Sequence, residues 1–340
     1  MKKSLVHIIG GGISGCSLAY FLSDSFQVIL HEKSSSLGDL LQTNVSVSGY
    51  SYVYNGICES SEWMIKFLTE ISPTPLKKLE WNQSVDPLIS LSTYSLPLSP
   101  SQFPVFWRET IALEQSKATH HYGDAANTLV NHFGDTLYHL IVKGMVERFW
   151  GYPIDNLDIQ AAQQYIHPNN FTSILFPENG WEPIVSSLTK KCEVRYESNP
   201  LAHQLRDEII ICTDLPDLFT ENQQKLQYTY ASFETDEVAW EPTKPDVMWY
   251  ANHVPWTKIT QMGKLFNQTN NIIVRENRSA QDKIIHLAPT IFNKELIKSI
   301  INNRQDILFC GPMVSQQYLS IHDSIIEASR TASVIKQRYL

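Results

Sequence analysis

The N-terminal stretch changes hydrophobic period twice. Leu5-Val6-His7-Ile8-Ile9 is an apolar run of strand length that stops at Gly10-Gly11-Gly12. "CSLAYFLSD" then sets Leu18, Ala19 and Leu22 on one helical stripe. Val28-Ile29-Leu30-His31 returns to strand character and ends in Glu32. The pattern predicts strand, glycine turn, helix, strand. After the polar "KSSSLGDLLQT", the alternation in "NVSVSGYSYVYNG" predicts a small hairpin.

From about residue 60 to about residue 170 the period is helical. "EWMIKFLTEI" predicts one helix, and "DAANTLVNHFGDTLYHLIVKGMVERFWGY" predicts two, broken near Gly134-Asp135, with Phe133, Leu137, Leu140, Ile141 and Met145 close to helical spacing. The proline-rich "PLSPSQFP" connects them. Strand character returns in "EVRYES", "EIIICTDL", "LQYTYASFET", "DVMWYANH" and "NIIVREN", each bounded by turn residues. "DILFCG" predicts a last strand running into Gly311, and Ile321, Ile325, Ala328, Ala332 and Ile335 share one face of a C-terminal helix. No internal repeat interrupts this order.

The glycines carry the first chemical signal. Gly10, Gly12 and Gly15 stand as G-x-G-x-x-G between a strand and a helix, and Glu32 ends the next strand about twenty residues on, where a dinucleotide ribose is held. Gly10 permits the tight turn, Gly12 lets backbone amides approach a pyrophosphate, and Gly15 lets the helix pack close to the strand.

Composition narrows the function classes. The chain has 340 residues, 43% hydrophobic and 18% charged, which exceeds a single core and predicts two or three units. No uninterrupted apolar segment of about eighteen residues is present, so no membrane partner is expected. The N-terminus enters a strand directly, without a signal-peptide pattern. Five scattered cysteines without C-x-x-C oppose a disulfide framework or a zinc site, and a reducing cytoplasm is the expected location. The net charge of −8 without a basic run excludes a nucleic-acid footprint. Eleven histidines are spread singly, with no metal-ligand spacing.

The glycine fingerprint, Glu32 and Gly38 together resemble the FAD-type version of this fold, and the terminal strand-Gly311-helix resembles the segment that closes such a domain against the flavin. More of the chain is similar to UDP-galactopyranose mutases: Lys143-Gly144 and Trp150-Gly151 in the helical segment, "FPENGWEPIVSSL", "EIIICTDLPDLF", "HVPWTKI", "IIVREN" and "ILFCGPMVSQQYLSIHDSI" follow in collinear order. The resemblance implies an α/β fold: a Rossmann-like FAD-binding domain (1–60, 176–215 and 300–340), a mainly helical domain (61–175) and an antiparallel β-sheet substrate domain (216–299). It implies FAD as cofactor, held by Gly10, Gly12, Ser14, Gly15, Glu32, Lys33, Gly38, Gly311 and Ile321. It also implies a mutase that interconverts pyranose and furanose forms of a nucleotide sugar through reduced flavin, with Arg275, Tyr318, Trp150 and His167 at the substrate. No metal is implied, and a homodimer is left open.

The chain departs from the family's pattern at several positions. Asp39 replaces a second glycine and would oppose the cofactor pyrophosphate. "YVYNGICES" lacks the family's histidine over the flavin, "YIHPNN" leaves His167 where an arginine is expected, Pro312 replaces the arginine after Gly311, and a tyrosine near "IIHLAP" is missing. Because the same scaffold serves other chemistries, an FAD-dependent oxidase or desaturase of the amine-oxidase type and a non-catalytic FAD-binding paralogue stand as alternatives.

Overall fold

The computed structural model describes residues 3–46, 51–52, 61–87, 93–116, 124–166, 173–198, 200, 205, 209–213, 226–239, 244–251, 254–266, 270–277, 283–303, 307–311 and 321–340. Strand β1 (Leu5–Ile9), helix α1 (Ile13–Leu22) and strand β2 (Gln27–His31) form as the periods require. They belong to a five-stranded parallel sheet in the order Ile307–Phe309, Ile209–Cys212, β1, β2, Glu193–Arg195. Val6, Ile8, Val28 and Leu30 are buried in it, as strands covered on both faces should be. The C-terminal helix Ile321–Tyr339 packs along α1, and the five apolar positions named above are all buried.

A second, seven-stranded sheet runs Lys283–Leu287, Tyr228–Ala239, Asn270–Asn277, Lys258–Gln261, Val247–Tyr250, Gln83–Asp86, Tyr94–Ser95. Its neighbours are antiparallel except Val247–Tyr250 with Gln83–Asp86, which are parallel. The two strands at its end come from the stretch read as helical, because that window averages over segments too short to impose their own period. "EVRYES" and "EIIICTDL" join the parallel sheet.

Helices Val105–Ser116, Ala125–Phe133, Lys143–Trp150 and Gln160–Ile166 enclose a separate apolar core that includes Leu129, Phe133, Leu137, Ile141, Val146 and Trp150. The break at Gly134 is real, with φ of +81°, and residues Tyr138–Val142 form a π-turn before the last of the rising segment. Helix Glu62–Ile71 does not join these helices. Its Met64, Phe67 and Leu68 pack into the core of the parallel sheet. The hairpin pairs Asn44–Val45 with Ser51–Tyr52.

Candidate functional site

The carboxyl ends of the parallel strands converge where the strand order reverses around β1, the place at which open α/β sheets bind ligands. Gly10 turns the chain with φ of +107°, a conformation that glycine adopts without steric cost. A side chain at Gly15 would put its Cβ 1.9 Å from the Gly10 carbonyl oxygen, so the helix can lie this close only with glycine there. Gly12 differs. It is the N-cap of α1, no side chain caps the helix, and nothing lies within 4 Å of where its Cβ would be. The first amides of α1 thus face open space at the positive end of the helix, an arrangement suited to an anion.

Glu32 is buried and closes the other side of the turn. Its Oε2 accepts from the Gly11 amide at 2.7 Å, and its Oε1 accepts from the amide and hydroxyl of Ser34, each at 2.7 Å. Gly11 carries no side chain for a related reason: a Cβ would meet Leu37 at 2.5 Å and Glu32 Oε2 at 2.7 Å. Sequence reading assigned Gly11 and Ser34 nothing, since only the fold brings them to the carboxylate. The Gly38 amide donates to the Gly11 carbonyl at 3.0 Å, which lays the 38–39 turn against the glycine turn. Asp39 follows with φ of +45° and is exposed, and Lys33 is exposed.

The third wall comes from the end of the chain. Gly311, φ +105°, packs so tightly on Ser14 that a Cβ would approach its hydroxyl to 3.1 Å. Thr213 ties the adjacent strand end to the turn, its hydroxyl reaching the carbonyls of Ile9 and Gly10 at 3.0 and 3.1 Å. Ile321 is buried at the start of the C-terminal helix. Gly10, Gly12, Ser14, Gly15, Glu32, Gly38, Thr213 and Gly311 therefore gather around one mouth.

These residues fit a dinucleotide. A carboxylate offers about four lone-pair sites. Ser34 uses both on Oε1 and Gly11 one on Oε2, which leaves Glu32 able to accept from a ribose hydroxyl.

The residues expected at the substrate are not brought together in the same way. Trp150 is fully enclosed in the helical core, its Nε1 donating to the Ala161 carbonyl at 3.2 Å. Arg275 is ion-paired with Asp236 and lies 5.6 Å over the Trp256 ring. Its strand neighbour Glu276 points to the opposite face, where it is 2% exposed and pairs with Lys258 at 3.0 Å. Lys258 stands over Trp249, whose Nε1 donates to Gln83 at 2.8 Å. Tyr318, His167 and Pro312 lie outside the described residues. Among the described residues no cluster of His, Cys, Asp and Glu could hold a metal, and no helix is long and apolar enough to cross a membrane.

A family model for NAD(P)-binding Rossmann-like domains matches residues 8–62, the segment that forms the glycine turn and Glu32. Curated protein sequences give no match. In fold, the chain is similar to reduced UDP-galactopyranose mutase, with a TM-score of 0.81 and 12% identity over 99% of this chain and 96% of that one. It is also similar to a putrescine oxidase variant (TM-score 0.68, 12% identity, 99% of each chain). An oxidoreductase from Methanosarcina mazei follows at a TM-score of 0.62 and 12% identity, over 98% of this chain and 100% of that one. The fold class is thereby defined: a Rossmann-like α/β unit joined to helices and a separate sheet, an architecture common to a mutase and to oxidases, so fold alone does not name the reaction.

Proposed function

We propose that the chain is an FAD-dependent flavoenzyme of the mutase-like kind, acting on a nucleotide sugar. The observation that carries this reading is the open N-terminus of α1 at Gly12, faced by a buried Glu32 that retains an acceptor site and closed from the far side by Gly311. In this reading the amides after Gly12 hold the pyrophosphate, Glu32 accepts from the adenosine ribose, and Ser14 and Gly311 line the approach to the flavin. When bound, the flavin supplies the nucleophilic or redox centre. The chain's own residues orient the cofactor and substrate and exclude water. The collinear motifs, together with a full-length likeness to a reduced mutase, favour the mutase over the oxidase.

The test begins with the absorbance spectrum and flavin stoichiometry of the purified protein. Gly12→Asp is the matching variant: φ at this position is −70° and the space is open, so the fold accepts it, and aspartate at an N-cap stabilises a helix by about 1 kcal/mol. The same side chain fills and repels the phosphate position. The expected result is bound flavin in the wild type, and loss of flavin without loss of melting temperature in Gly12→Asp. Flavin retention by Gly12→Asp overturns the cofactor placement. Asp39→Gly is expected to tighten flavin binding, as it removes a like charge and a left-handed non-glycine residue. Isomerisation of a nucleotide sugar under reducing conditions supports the mutase reading. Amine-dependent oxygen consumption supports the oxidase instead.

A further inference from the structure

The chain just beyond strand Ile307–Phe309 is pinned to the C-terminal helix at two consecutive residues. Cys310 is fully buried, and its thiol is hydrogen-bonded to the side chain of Thr331. The Gly311 amide donates to the carboxyl of Glu327, one helical turn earlier. The same glycine lies against Ser14, in the first turn of α1, and against the Thr213 carbonyl. Glu327 is partly buried, its Oε2 is enclosed, and no hydrogen bond reaches that oxygen among the described residues. The titratable groups around it are Arg330 and Asp323 of its own helix, which act in opposite directions, and the Cys310 thiol, which burial keeps neutral. Helix α1, packed along the same helix, carries only Cys16 and Tyr20 as titratable side chains. Burial outweighs the Gly311 amide and pushes the Glu327 carboxyl up to about 7, so both of its forms are populated near neutrality.

A pyrophosphate at the open N-terminus of α1 brings negative charge to the turn that contains Ser14. Only Gly311 stands between that turn and the Glu327 carboxyl. A like charge so near disfavours the carboxylate, and linkage makes the effect reciprocal: an ionised Glu327 weakens the hold on the anion, and a protonated one removes the repulsion. We propose that Glu327 is the proton-uptake site of the dinucleotide pocket, taking a proton from solvent as a pyrophosphate diester binds and loosening that ligand when it ionises. The proposal rests on the reading above only for the identity of the ligand as FAD. The sign follows from the raised carboxyl: affinity is greatest below about pH 7 and falls as pH rises through it. Glu327 acts through Gly311 and is a positioning residue.

FAD and ADP-ribose, pyrophosphate diesters that do not themselves titrate near neutrality, are each titrated by calorimetry into the full-length, cofactor-free protein from about pH 6 to about pH 8.5. Paired buffers of different ionisation enthalpy count the protons. The wild type is expected to take up a fraction of a proton, at most about one, with each ligand near neutrality, and to lose affinity several-fold across the range. Glu327→Gln keeps an acceptor for the Gly311 amide and has no charge, so it should bind at every pH about as tightly as the wild type does at the acid end, without proton uptake. Glu327→Ala loses the acceptor as well, so its melting temperature should drop while its affinity stays independent of pH. The proposal is overturned if the wild type takes up no proton, or if Glu327→Gln keeps the wild-type pH dependence; in the second case His322, at the start of the same helix, is the group responsible. Should Glu327→Gln fail to fold, Arg330→Gln replaces it: this exposed cation favours the carboxylate, so its loss should move the fall in affinity to higher pH, and an unmoved fall overturns the proposal equally. Proton-linked binding of ADP-ribose by a protein that does not bind FAD leaves the proposal standing and removes the flavoenzyme reading. FAD binding without pH dependence does the reverse, and binding of neither ligand removes both.

Discussion

Each sheet buries a polar pair, and the two pairs solve the same problem in opposite ways. In the parallel sheet, His7 Nδ1 and His31 Nε2 are 2.9 Å apart, stacked, and His31 Nδ1 meets the Ser198 hydroxyl at 2.9 Å. In the seven-stranded sheet, Lys258 and Glu276 meet at 3.0 Å with side chains 18% and 3% exposed. In the first pair burial pushes His31 down to about 4, so this ring stays neutral and needs no counter-charge. The second is buried as ions, so each member depends on the other. The comparison teaches that a neutral ring can be buried without a counter-charge, whereas a buried ion holds only as long as its partner stays.

The largest effect is expected from the close approach that shapes the parallel side. Gly15→Ala should cost about 4 kcal/mol or more, since its Cβ meets the backbone oxygen of Gly10 and cannot be relieved by a rotamer change. Gly12→Ala, three residues away with φ of −70° and open space, should cost under about 1 kcal/mol, because alanine is a poorer N-cap than glycine but stiffens the unfolded chain. Denaturant midpoints compare them, and equal losses would remove the account of the turn.

Next in size is the buried ion pair. Glu276→Ala should cost about 3 kcal/mol, because Lys258 is left charged and largely buried. Asp236→Ala, which removes the partner of Arg275 from a half-exposed position, should cost under about 1 kcal/mol. Similar losses in the two variants would mean that the two faces of the strand are equivalent.

The smaller effects are pH-dependent and of opposite sign. Burial first, then the nearby His7 and Arg195, push His31 down from 6.5 to about 4. The unfolded chain binds this proton more readily, so stability should fall as pH drops from about 6.5 towards 4, and His31→Gln should flatten that limb. Glu327, on the C-terminal helix beneath Gly311, is pushed up to about 7 by burial, against the Gly311 amide that donates to it. Here the folded state holds the proton more tightly, and stability should decline as pH rises from about 4.5 to 7. Glu327→Gln should lessen that decline. Thermal melts across pH check both limbs, and an acid limb unchanged by His31→Gln would show that the histidine pair is not its source.

The sequence by itself determined the strand-turn-helix at the N-terminus, the turn at Gly10 and the close packing at Gly15, the buried face of the C-terminal helix and the break at Gly134. These are local: a turn's φ, a helical stripe and a strand's apolar run are written in consecutive residues, and no distant contact is needed to read them. Only the tertiary structure decided that Gln83–Asp86 and Tyr94–Ser95 extend the second sheet, that Gly11 and Ser34 occupy the Glu32 carboxylate, and that Gly311 seals against Ser14. It also separated Arg275 from Glu276. Alternation sends neighbouring strand residues to opposite faces, but which face is inward depends on what packs there, and that is set by chains far apart in sequence.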